Sequence, residues 1–211
     1  MDGTQTIHDV MSASLDDLRH AQPDPARTYT VEEYFRWDAV HEGRLEYIAG
    51  RIDAMAGGSE PHALVCTNIA ALLHRALEDG PCRVYGSDLH LGVRAMDAYR
   101  HPDVTVVCDE PDEGPEQPRP DICTNPTVIV EVLSPSTEGD DRGIKLREYT
   151  SLPSLREYML VDHRDLHVDI FSRREDGTWV YQPTDGIDAV AHLPSLDLKL
   201  EHRRIFAKLP A

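Results

Sequence analysis

Lysine is scarce in this sequence: among 21 basic residues only Lys145, Lys199 and Lys208 are lysines. Lysine and arginine are not interchangeable, so each lysine raises the question of whether an ammonium is required there. Positive charge is short altogether. Against 38 acidic residues the balance is −17, which argues against indiscriminate binding to polyanions but leaves room for a metal-assisted site or a local basic groove. Arg142, Arg147, Arg156, Arg173 and Arg174 are interleaved with acids and form no basic stripe. The four cysteines (Cys66, Cys82, Cys108, Cys123) are scattered without a C-x-x-C pair, and are expected to be thiols in a reducing compartment. The N-terminus lacks a basic stretch followed by an apolar one, and no apolar run is long enough to span a bilayer. The expected setting is therefore cytoplasmic, with no membrane partner. A Gly-rich phosphate loop and a G-x-S-x-G elbow are also missing, which removes nucleotide-cradling and serine-hydrolase readings. His163 and His167 are four apart but straddle a turn and a strand, a poor basis for a zinc site.

Length allows one domain of ordinary size, 211 residues. Residues 1–27 read as a loosely ordered polar lead-in and residues 28–211 as the domain. Thr30 with Glu33 is a capping-box signature. Residues 45–55 read as a hairpin turning at Ala49-Gly50, and residues 59–77 as an amphipathic helix stopped by Gly80-Pro81. Further strands are expected at 84–85, 89–93, 103–107, 157–162, 166–171, 179–181 and 196–200, and a last helical turn at Ile205 and Phe206. The proline- and acid-rich residues 109–121 read as a solvated loop. The fold class is α+β, a mixed central sheet flanked by helices.

The chain is organised around residues 126–145. Residues 127–133 are β-branched or aliphatic except Glu131, the pattern of a strand buried on both faces. Alternation puts Glu131 on one face with Ile129 and Leu133, and Val128, Val130 and Val132 on the other. A carboxylate in such a strand is costly unless a cation or hydrogen bonds hold it. It either forms a site or pairs with a nearby arginine. Ser134-Pro135 ends the strand, Ser136 or Thr137 is placed to cap a helix, and Lys145 shares a helical side with Glu148 and Tyr149. Asp103, stiffened by Pro102 at a strand start, supplies a second carboxylate. Two carboxylates on neighbouring strands with a main-chain carbonyl suit a hard cation such as Mg²⁺.

These residues carry a resemblance. Pro102-Asp103, Glu131-Val132-Leu133-Ser134-Pro135-Ser136-Thr137, Asp141, Lys145, Tyr149 and Glu157-Tyr158-Met159-Leu160-Val161-Asp162 resemble the Uma2 family of the PD-(D/E)xK nuclease superfamily. Tyr29-Thr30-Val31-Glu32-Glu33-Tyr34, the Leu45-to-Ile52 hairpin and Pro61-His62 extend the likeness over roughly residues 28–206. The resemblance implies a restriction-endonuclease-like core and hydrolysis of DNA phosphodiester bonds with Mg²⁺ or Mn²⁺. Homodimers that cut two strands are a further implication. It implies Asp103 and Glu131 as catalytic metal ligands, with the Val132 carbonyl a third. The lysine expected two residues after Glu131 is replaced by Leu133, and the family pattern points to Lys145 instead. Glu46 matches an acidic family position, as a further ligand or orienting group or as a solvent-facing hairpin carboxylate. His62 matches another, as a phosphate or ligand contact or as a cap. Two other functions stay open: a non-catalytic binding or assembly module, and a metal-dependent hydrolase of a small phosphate ester.

Overall fold

Two units form among the described residues of the computed structural model, which are 18–19, 21–55, 57–110 and 121–210. The first holds the described residues up to 55 and Arg94–Arg100; the second holds Gly57–Val93 and the described residues from 101 onward. Most of the expected lead-in and the middle of the acidic loop, residues 111–120, lie outside the described residues. In chain order the elements begin with α1 (Val31–Asp38), β1 (Leu45–Ile48), β2 (Arg51–Ala54), α2 (Glu60–Leu77), β3 (Arg83–Gly86), β4 (His90–Val93) and β5 (Ala98–Arg100). There follow β6 (Val104–Val107), β7 (Ile122–Cys123), β8 (Val128–Val132), α3 (Glu138–Arg142), α4 (Ile144–Thr150), β9 (Glu157–Asp162) and β10 (His167–Arg173). The chain closes with β11 (Trp179–Asp185), β12 (Val190–Leu193), β13 (Leu198–Glu201) and α5 (His202–Ile205).

In the first unit the capping box is complete: Thr30 Oγ1 accepts the Glu33 N–H, and Glu33 accepts the Thr30 N–H at 2.9 Å. Tyr34, Phe35 and Trp37 turn inward from α1. The hairpin of β1 and β2 turns through Ala49 (φ 46°) and Gly50 (φ 89°), where both left-handed residues match the twist of the strands. A Cβ at Gly50 would also run into Thr28. On its other side β1 pairs antiparallel with β5, and Tyr99 of β5 stacks on Tyr34 at 5.8 Å.

In the second unit six strands form one mixed sheet in the order β11-β10-β9-β8-β6-β3. Only the β8–β9 pair within it is parallel. Every residue of β8 is buried, as a strand flanked on both sides and covered on both faces must be. One face joins Val128, Val130 and Val132 to Val65, Ile69 and Leu73 of α2 in the main core. The other carries Ile129, Glu131 and Leu133, so the alternation read from the sequence holds. The long helix starts at the Ser59 cap, with Pro61 in its first turn.

Three details depart from the sequence reading. The helix after Ser136-Thr137 is broken at Gly143 (φ −115°, ψ −88°) into α3 and α4, and Thr137 makes no side-chain capping bond. Its hydroxyl meets Ser134 Oγ at 3.0 Å instead. The strand expected at 196–200 begins at Leu198, after a 3₁₀ turn at Pro194–Leu196, and its partner β12 had no clear signal. Finally, Cys82 and Cys108 are joined as a disulfide and are not thiols. The β3–β6 register pairs Arg83 with Val107, which sets the two cysteines opposite each other one step further on.

Candidate active site

The β6–β8 register pairs Val104 with Val130, and continuing it by one residue sets Asp103 opposite Glu131. Pro102 and the strand that follows hold Asp103 in place, and its Oδ2 accepts the Val132 N–H at 2.7 Å. Backbone pairing thus places the two acidic residues opposite each other at the end of two neighbouring strands.

Glu131 is buried but not alone. Lys145 Nζ donates to its Oε1 at 3.0 Å and Tyr149 Oη donates to the same atom at 2.8 Å. Both groups come from α4, where spacings of four residues share one helix side. Lys145, Glu148 and Tyr149 are all buried. The alternative of an arginine partner for Glu131 gives way to this lysine and phenol. Lys145 also reaches Asp141 Oδ1 at 2.9 Å. Tyr158 Oη donates to the Asp141 carbonyl at 3.0 Å, tying the end of α3 to β9. Burial pushes the Asp141 carboxyl up, partly offset by the Lys145 ammonium, and the Asp103 charge pushes the same way as burial.

On the opposite side of Asp103 stands His62, in the first turns of α2, with Nε2 3.3 Å from Asp103 Oδ2. Its pKa is raised, chiefly by the hydrogen bond with Asp103 and against the effect of burial; a contact with the Val132 carbonyl adds to the rise. Cys66, one turn along, places Sγ 3.5 Å from His62 Nδ1. Burial pushes its thiol up, and the charges of Asp103 and Glu131 push it further. The carboxylates of Asp103 and Glu131, with the Val132 carbonyl, are therefore gathered in one small region.

The donor set fits a hard divalent cation. Oxygen ligands from two carboxylates and a carbonyl are what Mg²⁺ takes. The surroundings are acid-rich: Asp141 adds a third carboxylate, whose pKa is raised chiefly by burial and to a lesser extent by the Asp103 charge. Leu133, at the position where the parent pattern has lysine, is fully buried, and the ammonium beside Glu131 is supplied by Lys145 from α4.

Comparison with known proteins gives the family. A family model described as "Putative restriction endonuclease", Uma2, matches residues 31–203. The chain belongs to the Uma2 family. Among its relatives is the uncharacterized protein slr1290 of Synechocystis sp. (strain ATCC 27184 / PCC 6803 / Kazusa). It is 35% identical over 174 residues, covering 81% of this chain and 90% of the relative. A second uncharacterized protein of that organism, sll1609, is 31% identical over 160 residues, covering 76% and 89%. A solved structure, titled as a putative nuclease belonging to DUF820 from Anabaena variabilis ATCC 29413, superposes with a TM-score of 0.64. It covers 92% of this chain and 98% of that one at 16% identity. That likeness establishes the nuclease-like fold, and with it the α+β class expected from sequence.

Of the residues named from sequence, Asp103, Glu131, Val132 and Lys145 come together in the second unit. Glu46 belongs to the first unit, where it is buried and accepts from Arg100 Nη1 at 2.8 Å; it is no solvent-facing carboxylate. His163 and His167 do not meet: His167 Nε2 and Nδ1 lie 2.7 Å from Asp169 and 2.6 Å from Asp185. Sequence reasoning missed Cys66 as a neighbour of His62 and Asp141 as a partner of Lys145. Both carry the same signal, a spacing of four residues. No described helix is long and apolar enough to cross a membrane.

Proposed function

We propose that this Uma2 protein is a metal-dependent endonuclease that hydrolyses DNA phosphodiester bonds. The observation that carries the reading is the Lys145–Glu131 contact at 3.0 Å: it puts an ammonium beside the second acid although Leu133 stands where the parent pattern has lysine. Asp103, Glu131 and the Val132 carbonyl would hold Mg²⁺ or Mn²⁺. When bound, such a cation supplies Lewis-acid charge to a phosphoryl oxygen and acidity to water. Tyr149 fixes the rotamer of Glu131 by its hydrogen bond. The Lys145 ammonium donates to the attacking water or to developing negative charge on phosphate, which is electrostatic stabilisation by a preorganised group. His62 steadies Asp103 from the other side. Glu46, already neutralised by Arg100 in the other unit, is given no part in the reaction. DNA as substrate and a homodimer presenting two sites to two strands follow from the family resemblance.

The test is nicking of supercoiled plasmid with Mg²⁺ or Mn²⁺ by the wild type and by Asp103→Asn and Glu131→Gln, each checked for folding. Cleavage lost in both folded variants supports the assignment, and cleavage retained in both overturns it. One observation favours a second substrate class. A net charge of −17 suits a small phosphate ester better than a duplex. Salt separates the two, because DNA binding weakens steeply with salt as counterions are released and binding of a small ester does not.

A further inference from the structure

Asp103 has two sets of neighbours. One is the oxygen set of β8. The other lies on α2, where His62 and Cys66 are spaced by four residues and therefore stack on one helix side. Cys66 Sγ is 3.5 Å from His62 Nδ1, and His62 Nε2 is 3.3 Å from Asp103 Oδ2. One donor atom from each of the three lies within 4.8 Å of the others, and all three residues are partly open to solvent. The positions are well fixed. Ser59 caps the helix, Val65, Ile69 and Leu73 lock its inner side into the core, and the Val132 N–H holds Asp103.

One nitrogen, one sulfur and one carboxylate oxygen make a poor set for Mg²⁺ and a good one for a borderline cation. Three protein ligands with a fourth position left to water is a composition that zinc accepts. We propose that His62, Cys66 and Asp103 form a separate transition-metal site for Zn²⁺ or Co²⁺, and that it shares Asp103 with the Mg²⁺ site, so that the two cations compete. Binding deprotonates the Cys66 thiol, and the His62 imidazolium wherever it is protonated, and releases those protons to solvent, while Asp103 binds as the carboxylate. The binding itself is independent of the endonuclease reading; only the competition rests on it.

Titration of the purified full chain with Co²⁺ alone tests this, because a thiolate–Co²⁺ bond gives a near-ultraviolet charge-transfer band that oxygen and nitrogen ligands do not. The expected result is a saturable band with one equivalent of Co²⁺, reversed by Zn²⁺, absent in Cys66→Ser, and weakened by more than about tenfold in affinity in His62→Gln. Two variants on different donors keep the test decisive if one fails to fold. No band in the wild type, or a band that survives in folded Cys66→Ser, would overturn the site. In the cleavage assay Zn²⁺ should suppress Mg²⁺-dependent nicking in the wild type and much less in Cys66→Ser. Equal suppression of both would overturn the shared aspartate. A normal Co²⁺ band in a chain that never cleaves DNA would support the metal site and count against the endonuclease reading instead.

Discussion

The Lys145 ammonium stands between two buried carboxylates, 3.0 Å from Glu131 Oε1 and 2.9 Å from Asp141 Oδ1. The three residues come from β8, α3 and α4, so this one cation ties a broken helix to the central strand.

Removing that cation leaves two buried acids facing each other. Lys145→Met should therefore cost about 3–5 kcal/mol of stability at neutral pH, the usual penalty for breaking a buried pair. The cost should shrink on acidification. Asp141 already has a raised folded-state pKa, so its folded form binds protons more readily than its unfolded form, and protonation at lower pH favours folding. Urea midpoints of wild type and variant, compared from about pH 7 to about pH 5, check both statements. A penalty that stays constant with pH contradicts the second.

Tyr149→Phe is a gentler probe of the same carboxylate. It removes the 2.8 Å hydrogen bond to Glu131 Oε1 and leaves Lys145 in place. A loss of about 1.5–3 kcal/mol is expected, the range for a hydrogen bond to a charged group. The edge-on contact of the ring with Tyr158 at 5.2 Å should survive, so near-ultraviolet circular dichroism should change little.

What the sequence made legible was what local rules determine. Thr30 and Glu33 announced their capping box, Ala49-Gly50 its hairpin turn, and a single charge in an apolar run marked Glu131. Asp103 needed the family pattern, because Pro-Asp alone is commonplace. The rest depended on pairing between distant segments. Cys82 and Cys108 become partners only through the β3–β6 register, and Glu46 finds Arg100 from 54 residues away. Asp141 and Lys145 do carry a spacing of four residues, but the break at Gly143 that their contact crosses has no such local signal.

The disulfide closes a span of 26 residues that runs from just before β3 to just after the site strand β6. Loop-closure entropy for such a span is worth about 3.5 kcal/mol. Cys82→Ser with Cys108→Ser, or full reduction, should lower the urea midpoint accordingly. An unchanged midpoint in the double variant would show that the bond does not support the folded state.

His167 gives a separate pH signature. Burial lowers its pKa, but hydrogen bonds to Asp185 and Asp169 outweigh burial and raise it overall. Its charge helps hold the His202 pKa down, after burial, while Arg142 shares Asp169 with it. With the folded-state value above the unfolded one, the stabilisation is fully present below the unfolded pKa, about 6.5. It is lost as pH rises through the folded value. The stability difference between wild type and His167→Gln should therefore be largest in mild acid and fall as pH rises. A difference that grows with pH contradicts the assignment.

Lys145 puts beside Glu131 the ammonium that Leu133 does not supply. The most direct measurement is single-turnover cleavage of plasmid with Mg²⁺ or Mn²⁺ by wild type, Lys145→Met and Lys145→Arg. Folding is verified for each by circular dichroism. The expected result is cleavage by the wild type, loss in folded Lys145→Met, and poor recovery in Lys145→Arg, since a guanidinium does not replace a compact ammonium held between two acids. Wild-type rates in folded Lys145→Met would contradict it.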